Sequence, residues 1–246
     1  MPLARAIAVA EEALGPSVDV DDFVLWSEWA LARVGFRPTN CLAVVAVCRD
    51  ELMARVDEAI ASTWGRPFQA GSLGGLVFLG RTGMQAALGH VPGEDGRHRF
   101  VVFCLPHIGI DEDGTIGRVQ RRGMHRATSA CGALAAFRSE AAARGVDHVP
   151  EAGALDSSDI EQALLRRRLT AALGSPLVPT LAELTELARR AAVSDIRHYI
   201  DLARGSEPVD VAYISGIVVH LPDGAEHVCA VEAEVIIDGQ VIALPH

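Results

Sequence analysis

The stretch Cys41-Leu-Ala-Val-Val-Ala-Val-Cys48-Arg-Asp-Glu51 decides the fold. The run from Cys41 to Cys48 is apolar throughout and rich in valine, which is the pattern of a strand buried on both faces; such strands belong to parallel sheets covered by helices. Arg49, Asp50 and Glu51 end the strand and open a helix over 51–61, whose Leu52, Val56, Ala59 and Ile60 share one side. Downstream lies a glycine-rich stretch over 65–89, in which Leu76 to Leu79 reads as a strand and Met84 to Leu88 as a short helix. Phe100 to Leu105 is a further strand, entered from the polar turn Pro92-Gly-Glu-Asp-Gly96. A loop through His107, Asp113-Gly114 and Arg121-Arg122-Gly123 then leads into an alanine-rich helix from Ala130 to Arg144. Strands alternating with helices predict an α/β fold: a mixed, mainly parallel sheet flanked by helices.

The flanks extend this core. Leu3 to Leu14 is alanine-rich, and Phe23, Trp26, Trp29, Ala30 and Val34 recur at helical spacing behind the acids Asp19, Asp21 and Asp22, so 1–38 reads as a helical arm. Over 146–205, Ser158-x-x-Glu161 and Thr180-x-x-Glu183 are capping-box patterns, with Gly174 and Gly205 where the helices should stop. After Pro208 the pattern becomes strands: Val209 to His220, a Pro222-Asp223-Gly224 turn, His227 to Ile237, and an Asp238-Gly239 hairpin into Val241 to Leu244. The expectation is one domain, 1–246, made of the arm (1–38), a central core (39–145), a helical segment (146–205) and C-terminal antiparallel strands (206–246).

Composition narrows the function. Half of the residues are apolar, 5% are aromatic, the net charge is −10, and all 22 basic residues are arginine. Without lysine there is neither a Walker-type P-loop nor Schiff-base chemistry. An acidic chain poor in aromatics lacks both the electrostatic term and the stacking rings that nucleic acid requires. The apolar runs are far shorter than the ~20 residues of a membrane span, and the N-terminal patch is followed directly by acids, unlike a secretory signal. Five cysteines in no small-domain disulfide framework are expected as thiols or metal ligands in a reducing cytoplasm.

In open α/β folds, ligands collect at the carboxyl ends of the strands. Cys48 closes the first buried strand, His107 follows the strand 100–105, and Cys131 opens the alanine-rich helix. If those strands are parallel neighbours, two thiols and an imidazole converge, a set that suits zinc and leaves its fourth position open. The three are widely separated in sequence, and on spacing alone core packing of two thiols beside a hydrogen-bonded loop histidine is the favoured account of them. Asp50 lies beside Cys48, and Arg81, Arg49 and Arg55 are the candidate partners for its carboxylate. His90 is a candidate proton relay, because imidazole titrates near neutrality. Cys41 and Cys104 read as core, as does the pair His227 and Cys229, which has no third convergent ligand. His125, among arginines, reads as a solvated or subunit-contacting loop residue. The glycines of 71–83 contain no GxGxxG, so no dinucleotide site is expected.

From Asn40 to Phe137 the chain resembles the limiting-CO2-inducible B/C family, whose fold is that of the β-carbonic anhydrases. The segments that carry the resemblance are Cys48-Arg-Asp-Glu51, Gly74-Gly-Leu-Val-Phe-Leu-Gly80 with Arg81-Thr-Gly-Met84, Gly89-His-Val-Pro92, Pro106-His-Ile-Gly-Ile110 and Ser129-Ala-Cys-Gly-Ala-Leu134. The resemblance implies Cys48, His107 and Cys131 as zinc ligands, Asp50 as the aspartate beside the metal, and interconversion of CO2 and water with bicarbonate and a proton. The sequence departs from the ordinary β-carbonic anhydrase pattern at Leu52, where the arginine of an aspartate–arginine dyad would stand, and at Ile110, where the last ligand would stand. A catalytically silent zinc-binding relative, serving as a bicarbonate- or CO2-related scaffold or sensor, is the alternative. A zinc deaminase fits poorly, since Gly109 stands two residues after His107 and no CxxC follows. By the same resemblance, Trp26 and Trp29 on the arm are expected at a homodimer contact, and a twofold dimer is also the commonest assembly.

Overall fold

The computed structural model of the chain describes residues 2–93, 96–146, 155–174 and 176–244. Strand β2 (Leu42–Val47) lies parallel to β4 (His98–Leu105), which lies parallel to β8 (Val209–His220). The short β3 (Phe68–Gln69) pairs parallel with β2 at the edge. On the other side of β8 the sheet turns antiparallel, through β9 (Glu226–Ile237) to β1 (Ser17–Asp19) and to β10 (Gln240–Ala243). The fold is therefore a mixed α/β sheet with a parallel centre, as the alternation of elements predicts.

Side-chain alternation divides the core into layers. From β2, Ala43, Val45 and Val47 join Phe103 and Leu105 under α2 (Val20–Ala32), α3 (Ala54–Trp64), α5 (Gly132–Arg144) and α6 (Ile160–Ala172). Val44 and Ala46 face the other way, with Val102 and Cys104, under α4 (Gly80–Leu88) and the C-terminal half of α7 (Leu181–Arg204). A third layer holds Ile108, Ile217 and Val219 against Ala6 and Ala10 of α1 (Pro2–Leu14). The N-terminal arm thus packs partly on its own sheet, and between its helices Ser17 to Asp19 adds an edge strand that periodicity did not predict.

Other expectations need correction. Leu76 to Leu79 forms no strand. Gly74, Gly75 and Gly80 all have positive φ, the chain makes a short 3-10 turn over Leu73–Gly75, and Val77 keeps a single bridge to Gly71. His107 is not a loop residue: β5 (His107–Gly109) continues β4 beyond Pro106 and pairs with β8 in the same register. Val209 to His220 is a member of the parallel sheet as well as of the antiparallel one. Thr180 and Glu183 form the expected capping box on α7, but the Ser158 pattern forms none; Asp159 stands at that N-cap and makes no side-chain cap. In the turn Pro92 to Gly96, Glu94 and Asp95 lie outside the described residues, as does 147–154 of the helical segment. Among the described residues no helix is long and apolar enough to cross a membrane.

Candidate metal centre

Cys48 follows the last residue of β2, and His107 opens β5 two positions beyond the end of β4, so both lie at the carboxyl edge of adjacent parallel strands. Cys131 reaches them from the N-terminus of α5, where it adopts a left-handed conformation (φ 53°, ψ 72°). A non-glycine residue there costs about 1–2 kcal/mol, which the surroundings must impose. They do so through Gly109: a Cβ at that position would stand 2.6 Å from the Arg118 carbonyl oxygen and 2.8 Å from the Ala130 Cβ. Without one, the hairpin of β6 (Arg118–Val119) and β7 (Thr128–Ser129) docks on β5, with Gly117 N–H donating to the Gly109 carbonyl at 2.7 Å and Ala130 N–H to that of Gly117 at 3.0 Å. This docking delivers Cys131 and Arg121 together.

One ligand atom from each of Cys48, His107 and Cys131 lies within 4.8 Å of the others, and all three side chains are buried. The two sulfurs are 4.0 Å apart. Zinc–sulfur bonds of ~2.3 Å at tetrahedral angles place two sulfurs about 3.8 Å apart. His107 Nε2 is buried with no hydrogen-bond partner, the condition expected of a nitrogen meant for something other than a protein donor. Among the described residues this is the only such group of Cys, His and acidic side chains, and it could hold a metal ion. His227 and Cys229 are not part of it; His227 bonds Ser17, and Cys229, like Cys41 and Cys104, is a buried cysteine outside any disulfide.

The thiols differ in acidity. The Cys131 S–H contact lowers Cys48 most, outweighing burial, and His107 lowers it further. The same contact, together with burial, pushes Cys131 well above the usual thiol range. Gly74 N–H also points at the Cys48 sulfur, at 3.3 Å. Cys48 is accordingly the thiolate of the pair, and a thiolate is the form that binds metal.

Asp50 Oδ2 stands 3.9 Å from His107 Nε2. Its Oδ1 accepts the Leu52 N–H at 3.2 Å, capping the turn Glu51–Met53. The guanidinium beside it belongs to Arg121: Nη2 donates to both carboxylate oxygens, at 3.0 and 2.9 Å. Burial alone would raise Asp50, but the Leu52 N–H and the neighbouring Arg121 guanidinium help hold it below the ordinary carboxylate range. Arg121 is anchored in turn by Glu51 and by the Ser129 carbonyl. The expected partners lie elsewhere. Arg81 is exposed in the first turn of α4, Arg49 pairs with Glu161, and Arg55 pairs with Asp21. His90 is exposed just beyond α4, its ring 6.0 Å from that of Phe68 in the second core layer. His125 is exposed beside a polar cavity lined by Asp111, Arg118 and Arg126.

On its far side His107 leans on groups that sequence reasoning passed over. Its Nδ1 is 2.9 Å from His220 Nε2, and His220 Nδ1 is 3.1 Å from Glu226 Oε1. Burial pushes His220 down, partly offset by Glu226, so its ring is neutral. The signal available in the sequence was a histidine and a glutamate at the two feet of the 221–225 turn.

Fold and site together define a β-carbonic anhydrase-like α/β protein whose Cys/His/Cys cluster could take a metal. The family of limiting CO2-inducible proteins B/C, β-carbonic anhydrases, matches residues 17–237, and the chain belongs to that family. Solved structures agree. The crystal structure of limiting CO2-inducible protein LCIB is 29% identical with a TM-score of 0.79, over 95% of this chain and 96% of that one. PtLCIB4, a homologue of LCIB, is 20% identical with a TM-score of 0.79, over 97% and 99% of the two chains, and supports the fold alone. No curated protein matches the chain.

Proposed function

We propose that this chain is a zinc-dependent carbonic anhydrase, interconverting CO2 and water with bicarbonate and a proton. One observation carries the reading: Cys48, His107 and Cys131 converge at the strand edge directly beside an aspartate that an arginine engages through both oxygens. These three residues would hold the metal. Zinc, when bound there, supplies Lewis acidity that brings the pKa of a water from about 16 to about 7.

The chain's own groups do the rest. Arg121 and the Leu52 N–H keep Asp50 ionised and fix its orientation, so its free lone pairs accept a hydrogen bond from the reacting water. That bond aims the oxygen lone pair at the electrophilic carbon of CO2. Arg121, by engaging both oxygens of Asp50, holds the carboxylate toward the guanidinium. The role beside Asp50 that the sequence suggested for Arg81 passes to Arg121. His90 keeps the solvent exposure that proton relay to bulk requires.

The closeness of Asp50 to His107 supports a second reading, in which Asp50 closes the site and the chain is a silent, zinc-binding scaffold or sensor. Trp29 and Leu25, each 59% exposed on α2, support a homodimer, and five buried cysteines outside any disulfide support a reducing compartment such as the cytoplasm. The eight-stranded sheet, which takes strands from both the N-terminal arm and the C-terminal segment, supports a single domain.

The test is stopped-flow CO2 hydration with a pH indicator, on metal-replete protein, across about pH 6.5 to 9. Turnover above background in wild type, lost together with zinc in Cys48→Ser, is the expected outcome. One zinc per chain without turnover would overturn the enzyme reading in favour of the silent one.

A further inference from the structure

His107 can present either ring nitrogen, and the structure contains a device that selects one. His220 ends β8 and Glu226 begins β9, and the two face each other in register across the turn, which is closed by Leu221 N–H donating to the Ala225 carbonyl at 2.8 Å. Glu226 Oε1 lies 3.1 Å from His220 Nδ1, and His220 Nε2 lies 2.9 Å from His107 Nδ1. The rings of the two histidines meet edge to face, with centroids 5.1 Å apart at 80°.

Hydrogen-bond polarity along this chain is set at its outer end. A carboxylate only accepts, and Glu226 Oε1 stands within hydrogen-bond distance of His220 Nδ1. His220 Nδ1 therefore carries a proton and donates it to Glu226. A neutral imidazole then has a lone pair at Nε2, which accepts from His107 Nδ1–H. The lone pair of His107 is left on Nε2, the buried atom with no hydrogen-bond partner, 3.9 Å from Asp50 Oδ2. Reversing the order would require a carboxylic acid at Glu226 and a proton on the nitrogen that faces the thiols.

We propose that His220 and Glu226 are positioning residues that fix the tautomer and orientation of His107, so that its Nε2 lone pair is aimed at the metal before the metal arrives. The inference rests on the reading of His107 as a ligand. Outer partners of ligating histidines typically contribute about 10- to 100-fold in metal affinity.

The experiment is competition of the full chain against a chromogenic chelator for Zn2+, with thermal unfolding of each apo-protein in parallel. His220→Leu, which offers no acceptor, is expected to weaken zinc binding about 10- to 100-fold. His220→Gln, whose amide oxygen reaches the place of Nε2, is expected to recover most of that loss. Glu226→Gln keeps an acceptor without the charge and should fall between them. Wild-type affinity in His220→Leu overturns the inference, as does an equal loss in Leu and Gln variants that both unfold early, since that pattern is packing alone. Should His220→Leu not fold, wild-type affinity in Glu226→Gln overturns it. Wild-type protein that takes up no zinc defeats the ligand reading, and this inference with it; zinc-binding wild type with an indifferent His220 defeats this inference only.

Discussion

Arg121 Nη2 donates to both carboxylate oxygens of Asp50, at 3.0 and 2.9 Å, from a loop far away in sequence. The contact orients the carboxylate that stands 3.9 Å from His107 Nε2. Removing it should release Asp50 toward His107, 3.9 Å away, without touching a ligand. Arg121→Ala is therefore expected to keep one zinc per chain, by metal analysis, while CO2 hydration drops at least tenfold. Arg121→Lys should rescue little, because a point-charge ammonium cannot serve Asp50, Glu51 and the Ser129 carbonyl together. Retained activity in Arg121→Ala would show that Asp50 needs no such partner.

Glu161 yields a pH prediction. It accepts from Ser72 Oγ at 2.8 Å, from the Leu73 N–H at 3.3 Å and from Arg49 Nε at 2.7 Å, tying α6 to the turn whose Gly74 N–H reaches Cys48. Burial would raise this carboxyl, but the bonds from Arg49 and Ser72 prevail and hold it below its ordinary value of 4.5. A group with a depressed folded pKa stabilises above its unfolded value, and that contribution is lost as pH falls through the folded one. Urea midpoints of wild type and Glu161→Gln should therefore differ at about pH 6 and converge toward about pH 3. A pH-independent gap would mean that the charge of Glu161 contributes nothing.

Much of this architecture was legible in local pattern. The buried strand at Cys41 to Cys48, the strand at Phe100 to Leu105 and the hairpins after Pro208 all appear within a residue or two of their expected positions, because long apolar runs bounded by turn residues have few other uses. What failed was short or dependent on tertiary contact. β5 was hidden by Pro106, which breaks the apparent strand although β8 continues alongside it. Leu76 to Leu79 has the composition of a strand, but its flanking glycines bend it into the core instead. At the site, Cys48, His107, Cys131 and Asp50 do come together, while Arg121 stands in the sequence only as one arginine of a loop. Nothing local distinguishes it from Arg81 or Arg49; its place is set by the docking of the β6–β7 hairpin on Gly109.

That docking predicts a substitution effect. A methyl group at Gly109 would meet the Arg118 carbonyl at 2.6 Å, a backbone atom that cannot swing aside. Gly109→Ala should cost about 1–3 kcal/mol of stability, the usual range for overpacking. It should also weaken zinc binding, because Cys131 hangs from the same hairpin. Chemical denaturation and chelator competition measure the two effects. A stability loss with unchanged zinc affinity would separate the hairpin from the placement of Cys131.

The two capping-box patterns provide the last prediction, since identical logic in sequence ended differently in structure. Thr180 Oγ1 accepts the Glu183 N–H at 3.2 Å, and Glu183 Oε2 accepts the Thr180 N–H at 2.8 Å, so α7 starts with both donors satisfied. The corresponding Glu161 has turned away to Ser72 and Arg49, leaving the exposed Ser158 hydroxyl to donate to Asp156 at 2.6 Å. Thr180→Ala should therefore cost about 1 kcal/mol, as loss of a helix N-cap does. Ser158→Ala should stay within about 0.5 kcal/mol of wild type, as surface changes away from special features do. Parallel urea titrations of the two variants decide the matter. Equal costs at both sites would mean that Glu161 caps α6 in solution, and that its ties to Ser72 and Arg49 are not what fastens that helix to the metal-site turn.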